Sequence, residues 1–180
     1  EPTSVIVSKD KLDHLPRNGR VFANSELIRR QLKRFRTDLE LCSKSDLNIE
    51  DLTQDNLIEK LDELYENNDL DGYVLERSEW DHSEKNGRRH TLGMQIGNND
   101  SRQRFIPPPL RGFSLLLSRV GFPSSTFEEL NDEHSRISFR VESKLFLELG
   151  KDELLGINVS IRRISTIKKS LIEEGGLTSD

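Results

Sequence analysis

The sequence predicts an α+β protein with N-terminal helices, an antiparallel sheet dominated by a long C-terminal β-hairpin, and a final helix. Large apolar residues occupy nearly every odd position of 137–149, which is the period of a strand with one buried face. The same parity recurs from Leu155 to Ile161 after Gly150, so the two segments are predicted to pair through a loop of odd length. Helical and strand patterns come in blocks, which favours α+β over a doubly wound fold.

The N-terminal part begins with a short predicted strand, Val5–Val7, and continues through a loop into a helix. Asn24 or Ser25 is a suitable N-cap for that helix. Its apolar residues recur at the spacing of a single helical stripe, so the helix is predicted to bury one face. The stripe consists of Ile28, Leu32, Phe35, Leu39 and Cys42.

A second helix is predicted to start at Thr53 and to end at Asn67. Leu52 and Leu57 stand at the two positions of a hydrophobic staple around its first turn. The exposed positions of this helix are mostly acidic. Its buried stripe is predicted to consist of Leu57, Ile58, Leu61, Leu64 and Tyr65.

Shorter elements are predicted on either side of the hairpin. Two strands are expected at 72–77 and 92–96, and a short apolar helix at 110–120. A further helical turn is predicted after Ser125, and the last helix is predicted to run from Ser165 to two consecutive glycines.

The length of 180 residues suits a single domain, 1–180, with a sizeable core. We predict a partly ordered N-terminal segment over 1–22, a helical part over 24–66 and an α/β part over 72–175. Apolar residues make up only 33% of the chain and charged residues another 33%. Such a low apolar content indicates that a partner covers part of the surface.

Cysteine content and hydropathy bear on location. Cys42 is the only cysteine, so no internal disulfide can form, and an intracellular, reducing location is predicted. No apolar run approaches the roughly 18 residues of a membrane span. We therefore expect a protein without a membrane span.

Charge is segregated along the chain. Between Asp46 and Glu84, fourteen Asp or Glu residues stand against two Lys or Arg, a local net charge of −12. From Lys85 to Arg119, seven Lys or Arg residues stand against one Asp, a local net charge of +6. Either the blocks neutralise each other within the fold, or one block faces an external partner. A protein partner is favoured over nucleic acid, because the net charge of the chain is −5 and an acidic block repels phosphate.

The candidate partner-binding residues are basic, with one tryptophan among them. Arginine suits contacts with anions because its guanidinium forms two parallel hydrogen bonds. Trp80 lies in a polar stretch and is predicted either to cap the core or to anchor an interface. The full set of candidates is Arg29, Arg30, Lys33, Arg34, Arg36, Trp80, Arg88, Arg89, Arg102 and Arg104.

The segment from Thr53 to Leu92 resembles the recognition helix and wing of winged-helix domains. It contains a helix, a strand, a turn with Asn86-Gly87-Arg88-Arg89 and a second strand. The resemblance implies nucleic-acid binding with Arg88 and Arg89 on phosphates. The predicted helix, however, presents carboxylates and a single basic residue, so a protein-docking variant fits its chemistry better.

The sequence Glu142-Ser143-Lys144 resembles the Glu-x-Lys strand element of metal-dependent nucleases. The resemblance implies a hydrolase in which Glu142 holds Mg²⁺ and Lys144 steadies an attacking water. Completing such a site needs an upstream carboxylate on an adjacent element. Asp132 falls in the preceding predicted loop, and the acidic block is distant in sequence, so the residues favour a solvated strand face.

The predicted function is non-enzymatic, without metal or cofactor. The four histidines are scattered, and neither a nucleophile elbow nor a phosphate-binding glycine loop is found. We expect an interaction or assembly subunit of a larger complex or of a self-assembling structure. A winged-helix-like nucleic-acid-binding module is the alternative, and a metal-dependent hydrolase is the third hypothesis.

Overall fold

The computed structural model describes residues 3–93, 104–150, 152, 154–159, 161 and 164–173. The chain divides into two compact units. The first unit comprises residues 1–108 with 153–156, and the second comprises residues 109–152 with 157–180. The predicted boundary between a helical part and an α/β part, at 66–72, therefore falls inside the first unit.

A mixed sheet of five strands forms the centre of the first unit. The strands are β1 (Ser4–Val7), β2 (Arg20–Ala23), β3 (Glu40–Cys42), β4 (Gly72–Glu76) and β5 (Arg89–Leu92). Their order across the sheet is β3-β2-β4-β1-β5. β1 pairs antiparallel with β4 and β5, whereas β2 pairs parallel with β3 and β4.

Three helices cover the two faces of this sheet. They are α1 (Glu26–Phe35), α2 (Gln54–Glu66) and α3 (Arg77–His82). Ile28 and Leu32 of α1 pack with Ile6 of β1 on one face. Residues of α2 and α3 pack with Val5 and Val7 of β1 on the other face. The alternation of side chains along β1 thus divides the core into two layers.

The structure contains helices and a sheet, as an α+β fold requires, but the predicted antiparallel sheet is wrong. β2 and β3 are joined through α1, and β3 is followed by α2 before β4. A helix that connects two strands brings the chain back to the end of the sheet where the first strand began, so the two strands run parallel. The predicted 24–66 helical part consequently contains a strand, β3, that the sequence prediction assigned to a helical stripe.

The first helix is confirmed, although it is shorter than predicted. The Ser25 side chain accepts a hydrogen bond from the Ile28 amide, as the N-cap prediction requires. The helix ends at Phe35 because Arg36 adopts an extended backbone. Leu39 and Cys42 are buried as predicted, but they reach the core from β3 and the loop before it.

The second helix is confirmed, with Thr53 at its N-cap. Leu57, Ile58 and Leu61 are buried in the core. Leu64 and Tyr65 are partly buried against it. The predicted strand at 72–77 corresponds to β4, and Leu92 ends β5, whereas positions 94–96 lie outside the described residues.

The predicted β-hairpin of the second unit is wrong. Its first strand is instead a helix, α4 (Glu133–Glu148), and residues 155–159 have no regular secondary structure. In a strand every second residue lies on the same face, whereas in a helix residues four apart do. A row of apolar residues spaced four apart fits both. Ile137, Val141 and Leu145 therefore satisfy the helical pattern as well. The Asp132 carboxylate caps the helix by accepting a hydrogen bond from the Ser135 amide at 2.8 Å.

The predicted helix at 110–120 is also wrong, since residues 113–119 have no regular secondary structure. Leu110 and Gly112 have φ values of 62° and 78°, in the left-handed region that interrupts an α-helix. The turn predicted after Ser125 is a 3-10 helix, Ser124–Leu130. The last helix, α5 (Ile164–Glu173), begins one residue before the predicted cap.

A partly buried hydrogen-bond network joins α2 to the sheet in the first unit. The Tyr73 hydroxyl donates to the Asp62 carboxylate, which also pairs with Lys85. Burial, together with this carboxylate, raises the pKa of Tyr73 well above its usual value, so the hydroxyl stays protonated. The network therefore links a core residue of β4 to an acidic position of α2.

We predict that Tyr73→Phe destabilises the first unit by about 1 kcal/mol, because the buried hydrogen bond is lost while the ring remains. Urea unfolding followed by Trp80 fluorescence measures the change. Tyr65→Phe is the matched control, since Tyr65 contacts Tyr73 edge-on with ring centroids 6.2 Å apart and lies half-buried. Equal effects of the two substitutions would contradict the role of the Tyr73 hydroxyl.

Candidate functional site

The basic residues of α1 mostly bind carbonyl and carboxylate groups of their own unit. Arg29 donates to the carbonyls of Ala23 and Asn24 at 2.7 and 2.8 Å, and it pairs with Glu26 at 2.7 Å. Lys33 donates to the Leu39 carbonyl at 2.8 Å. These contacts fix the segments directly before and after α1, so both side chains have structural partners.

Arg36 has the largest number of such contacts. Its guanidinium binds both carboxylate oxygens of Asp38, at 2.7 and 2.6 Å. It also donates to the carbonyls of Leu12 and Leu15, in the loop between β1 and β2. The Arg36 contact, helped by the Asn18 amide, holds the pKa of Asp38 well below its usual value. Arg36 thus stabilises the end of α1 against that loop.

The remaining candidates do not form one surface patch. Arg34 donates to the Arg104 carbonyl, while Arg30 is exposed and pairs with Glu26 at 3.0 Å. Arg88 is exposed and precedes β5. The Arg104 Nε atom is buried and has no hydrogen-bond partner among the described residues. Arg102 lies outside the described residues.

Trp80 lies in the core of the first unit. Only 3% of it is exposed, and it packs in the same layer as α2. Arg89 stacks over the indole, 5.7 Å from the ring centroid, and also approaches Asp81 at 3.7 Å. Of the two roles predicted for Trp80, this burial supports the core position.

The acidic and basic blocks meet within the first unit. Asp62 of α2 pairs with Lys85, and Asp81 approaches Arg89 at 3.7 Å. These contacts support mutual neutralisation for this part of the charge pattern. They are the kind of exposed or half-exposed ion pair that adds little to stability.

The two strands of the proposed wing do not pair with each other. β4 and β5 each pair with β1, which lies between them. The wing implied by the resemblance to winged-helix domains is therefore absent from the described residues. Arg88 and Arg89 lie beside the edge of a mixed sheet instead.

Glu142 and Lys144 lie on a helix and not on the strand that the nuclease resemblance implies. Both belong to α4, where residues two apart point to different sides of the helix. Glu142 is buried, and its carboxylate accepts hydrogen bonds from the amides of Leu110 and Val159 at 2.9 and 2.7 Å. Lys144 is exposed beside Glu148, at 3.8 Å. Throughout the described ranges, no three His, Cys, Asp or Glu side chains are grouped so as to hold a metal ion.

The distinctive surface of the protein lies in the second unit, where large hydrophobic residues are exposed. We call Ile137, Val141 and Leu145, one turn apart along α4, the apolar row. Their exposed fractions are 41%, 40% and 38%. Leu147 of α4 is exposed as well. Further exposed residues of the same kind lie before and after α4 in the sequence: Leu115, Leu116, Leu117, Val120, Phe122, Leu130, Leu149, Ile161, Ile164 and Ile167.

The second unit also contains an open cavity of about 810 Å³. Its aromatic walls are the edge-on pair Phe113 and Phe139 and the stacked pair Phe122 and Phe127, with centroids 5.4 and 5.2 Å apart. Arg136 lines the same cavity. Four aromatic rings and one cation thus line the same open cavity.

No protein-family model matches this chain, and no curated protein sequence matches it significantly. None of the helices in the described part of the chain is long and apolar enough to cross a membrane. The role of the candidate site therefore follows from the chemistry of its residues alone.

The exposure of the apolar row was not predicted from the sequence. It placed Ile137, Val141 and Leu145 in a strand that faces a core. Their spacing of four residues was the available signal for a helix, together with Asp132 as an N-cap. The exposure of this row could not be found from spacing, because the same pattern describes a helix face that packs on a core.

We predict that Arg36→Ala destabilises the first unit by about 2 kcal/mol, because buried carbonyls and Asp38 lose a charged donor. Arg30→Ala is the control, on α1 six residues before Arg36, and should cost about 0.5 kcal/mol or less, as exposed ion pairs do. Urea unfolding measures both. A loss at Arg30 as large as at Arg36 would contradict the assignment of Arg36 as the structural arginine.

A pH dependence follows from the lowered pKa of Asp38. A carboxylate with a depressed folded-state pKa stabilises the fold above its unfolded pKa of about 3.9, and that contribution is lost as the pH falls further. We predict that Asp38→Asn melts below the unsubstituted protein at pH 6, and that this difference shrinks at pH 2. Melting curves at both pH values measure it. A difference that is constant with pH would show that the ion pair does not contribute.

Proposed function

We propose that the protein acts without catalysis, as an interaction or assembly subunit whose second unit is covered by a protein partner or a further copy. One observation carries the proposal. Every exposed large hydrophobic side chain among the described residues belongs to the second unit, and none belongs to the first. Soluble proteins rarely leave such surface to water unless it binds something.

The chemistry of α4 supports a protein as the covering molecule. The apolar row lies on the helix between a buried side, at Ser138 and Glu142, and a basic side. The basic side consists of Arg136, Arg140 and Lys144. Apolar residues one turn apart with a polar border are typical of helices that dock into a groove or against another helix.

Nucleic-acid binding has less support. Arg29, Lys33 and Arg36 already donate to groups of their own unit. A phosphate ligand would have to displace these carbonyls or bind the few exposed residues such as Arg30 and Arg88. We retain nucleic acid as an outcome of the experiment below.

An intracellular location is part of the proposal. Cys42 is a free, buried thiol, and burial raises its pKa. A buried thiol of this kind is inert toward disulfide exchange. It supports a fold that needs no oxidising compartment.

We predict that the purified chain associates as its concentration rises, because another copy is the available cover for the apolar row. Light scattering measures the mass at each concentration. Replacing the apolar row with serine (Ile137→Ser, Val141→Ser, Leu145→Ser) should reduce association at least tenfold. The control replaces the basic side (Arg136→Ser, Arg140→Ser, Lys144→Ser) and should associate nearly as well. Trp80 fluorescence verifies that the first unit stays folded.

The same samples are measured with a short DNA duplex at about 50 and 200 mM salt, a range over which phosphate contacts weaken strongly. Association without duplex binding supports the proposal. A chain that is monomeric at every concentration rules out a further copy as the cover, and a serine variant that associates as well as the unsubstituted chain contradicts the role of the apolar row. Salt-sensitive duplex binding that survives the serine substitutions would instead support the nucleic-acid alternative.

A further inference from the structure

We propose that the first unit binds a phosphate group between the guanidinium groups of Arg34 and Arg104, on the side of the sheet that α1 covers. Arg34 belongs to α1, and Arg104 lies in the segment 104–108, which packs against this helix. Neither the apolar row nor the cavity of the second unit takes part. The site is therefore independent of the proposed assembly, and either proposal can fail alone.

Arg104 is held beside α1 by the residues that follow it. The buried Gln31 side chain exchanges two hydrogen bonds, each of 2.9 Å, with the main chain of Ile106. The Phe105 amide donates to the Gly93 carbonyl at 3.0 Å, and the Phe105 ring is buried in the same core layer as α1. These contacts fix the main chain on the carboxyl side of Arg104.

Arg34 reaches the same place from the helix. It lies three residues after Gln31, on the same face of α1, and its guanidinium donates to the Arg104 carbonyl. This bond uses one of the five N–H donors of the guanidinium, so four remain for a ligand. The charge of Arg34 is thus positioned next to the main chain of Arg104.

These two cations lack carboxylate partners. The ion pairs formed among the described residues include neither Arg34 nor Arg104. Glu26 is the one acidic residue of α1, and it pairs with Arg29 and Arg30. Neighbouring charges of the same sign repel each other, so an anion bound between Arg34 and Arg104 would be stabilised by both.

A buried donor at this place also lacks an acceptor. The Arg104 Nε atom is buried and has no hydrogen-bond partner in the described part of the chain, and the same is true of His90 Nε2. His90 pairs with Ile6, so it lies on the sheet face that α1 covers. Most buried polar atoms in proteins have a partner. Arg104 is only partly buried, so rotation of its side chain can present Nε to an anion.

The charge of the site favours phosphate over a carboxylate. A guanidinium can donate two parallel hydrogen bonds to either group. A phosphate monoester, however, carries about −1.5 to −2 charges at pH 7, which matches two guanidinium groups. A carboxylate carries a single charge and would leave one cation uncompensated.

Titration calorimetry of the full chain with inorganic phosphate tests the proposal, with acetate as the carboxylate probe at the same ionic strength. We expect one phosphate per chain and at least tenfold weaker binding of acetate. Arg34→Gln and Arg104→Gln should each weaken phosphate binding about tenfold or more, because each removes charge-assisted hydrogen bonds. Arg88→Gln is the matched control, since Arg88 is exposed and the charge change is the same. This control should bind phosphate like the unsubstituted chain.

The melting temperature distinguishes a binding role of Arg104 from a structural one. Without phosphate, Arg104→Met should melt at or above the unsubstituted chain, because it removes an unpaired buried donor and keeps the apolar stem. With phosphate at about ten times the measured dissociation constant, the unsubstituted chain should melt above the variant. A variant that already melts lower without phosphate would assign Arg104 a structural role and overturn the proposal.

A comparison of inorganic phosphate with glycerol 3-phosphate distinguishes the two sources of the phosphate group. Tighter binding of this monoester supports a phosphorylated small molecule as the ligand, and equal or weaker binding supports the free ion. Three results would overturn the proposal: no binding of either probe up to about 10 mM, acetate binding as tight as phosphate binding, or phosphate binding that survives both glutamine substitutions. Association measured by light scattering should be unchanged in these variants, which keeps the test separate from that of assembly.

Discussion

The uneven burial of apolar surface between the two units governs the rest of this structure. In the first unit, β1 lies second from the edge of a five-stranded sheet and sends Ile6 to one core layer and Val5 and Val7 to the other. α1 and α2 each cover one of these layers. The second unit has helices but no layer of this kind among its described residues. The described part of the second unit therefore leaves its large hydrophobic side chains exposed to solvent.

The first unit could be predicted well where one pattern has one solution. The stripe Leu57, Ile58 and Leu61 fits a helix and no strand, and α2 was found with its N-cap. Strand direction could not be found in this way, because the periodicity of Val5 to Val7 is the same in parallel and antiparallel sheets. The parallel direction of β2, β3 and β4 follows from the helices that connect them, α1 between β2 and β3 and α2 between β3 and β4.

The second unit was predicted poorly because its pattern has two solutions. Ile137, Val141 and Leu145 satisfy a strand with a period of two and a helix with a repeat of four. Turn chemistry decides between them, and Asp132 before Ser135 favours a helix start. The helix expected after Pro109 failed for a different reason. The left-handed backbone of Leu110 interrupts it, which no apolar periodicity reveals.

The segregated charge proved a weaker guide to the candidate site than the exposed apolar residues. Arg29 and Arg36 stood out as cations on a surface helix, yet their donors are occupied by carbonyls and by Asp38. Arginine is suited to this structural role because its fork of donors reaches several acceptors at once. The positions of charged residues in the sequence do not distinguish an arginine with such a structural role from one that binds another molecule.

The heat-capacity change of association, measured by dilution calorimetry at several temperatures, tests the central claim that apolar burial in the second unit drives assembly. Burial of apolar surface gives a negative change in heat capacity. The account predicts a large negative value that the triple serine variant of the apolar row loses. A value near zero, with association that weakens steeply as salt rises, would contradict it and assign assembly to charge.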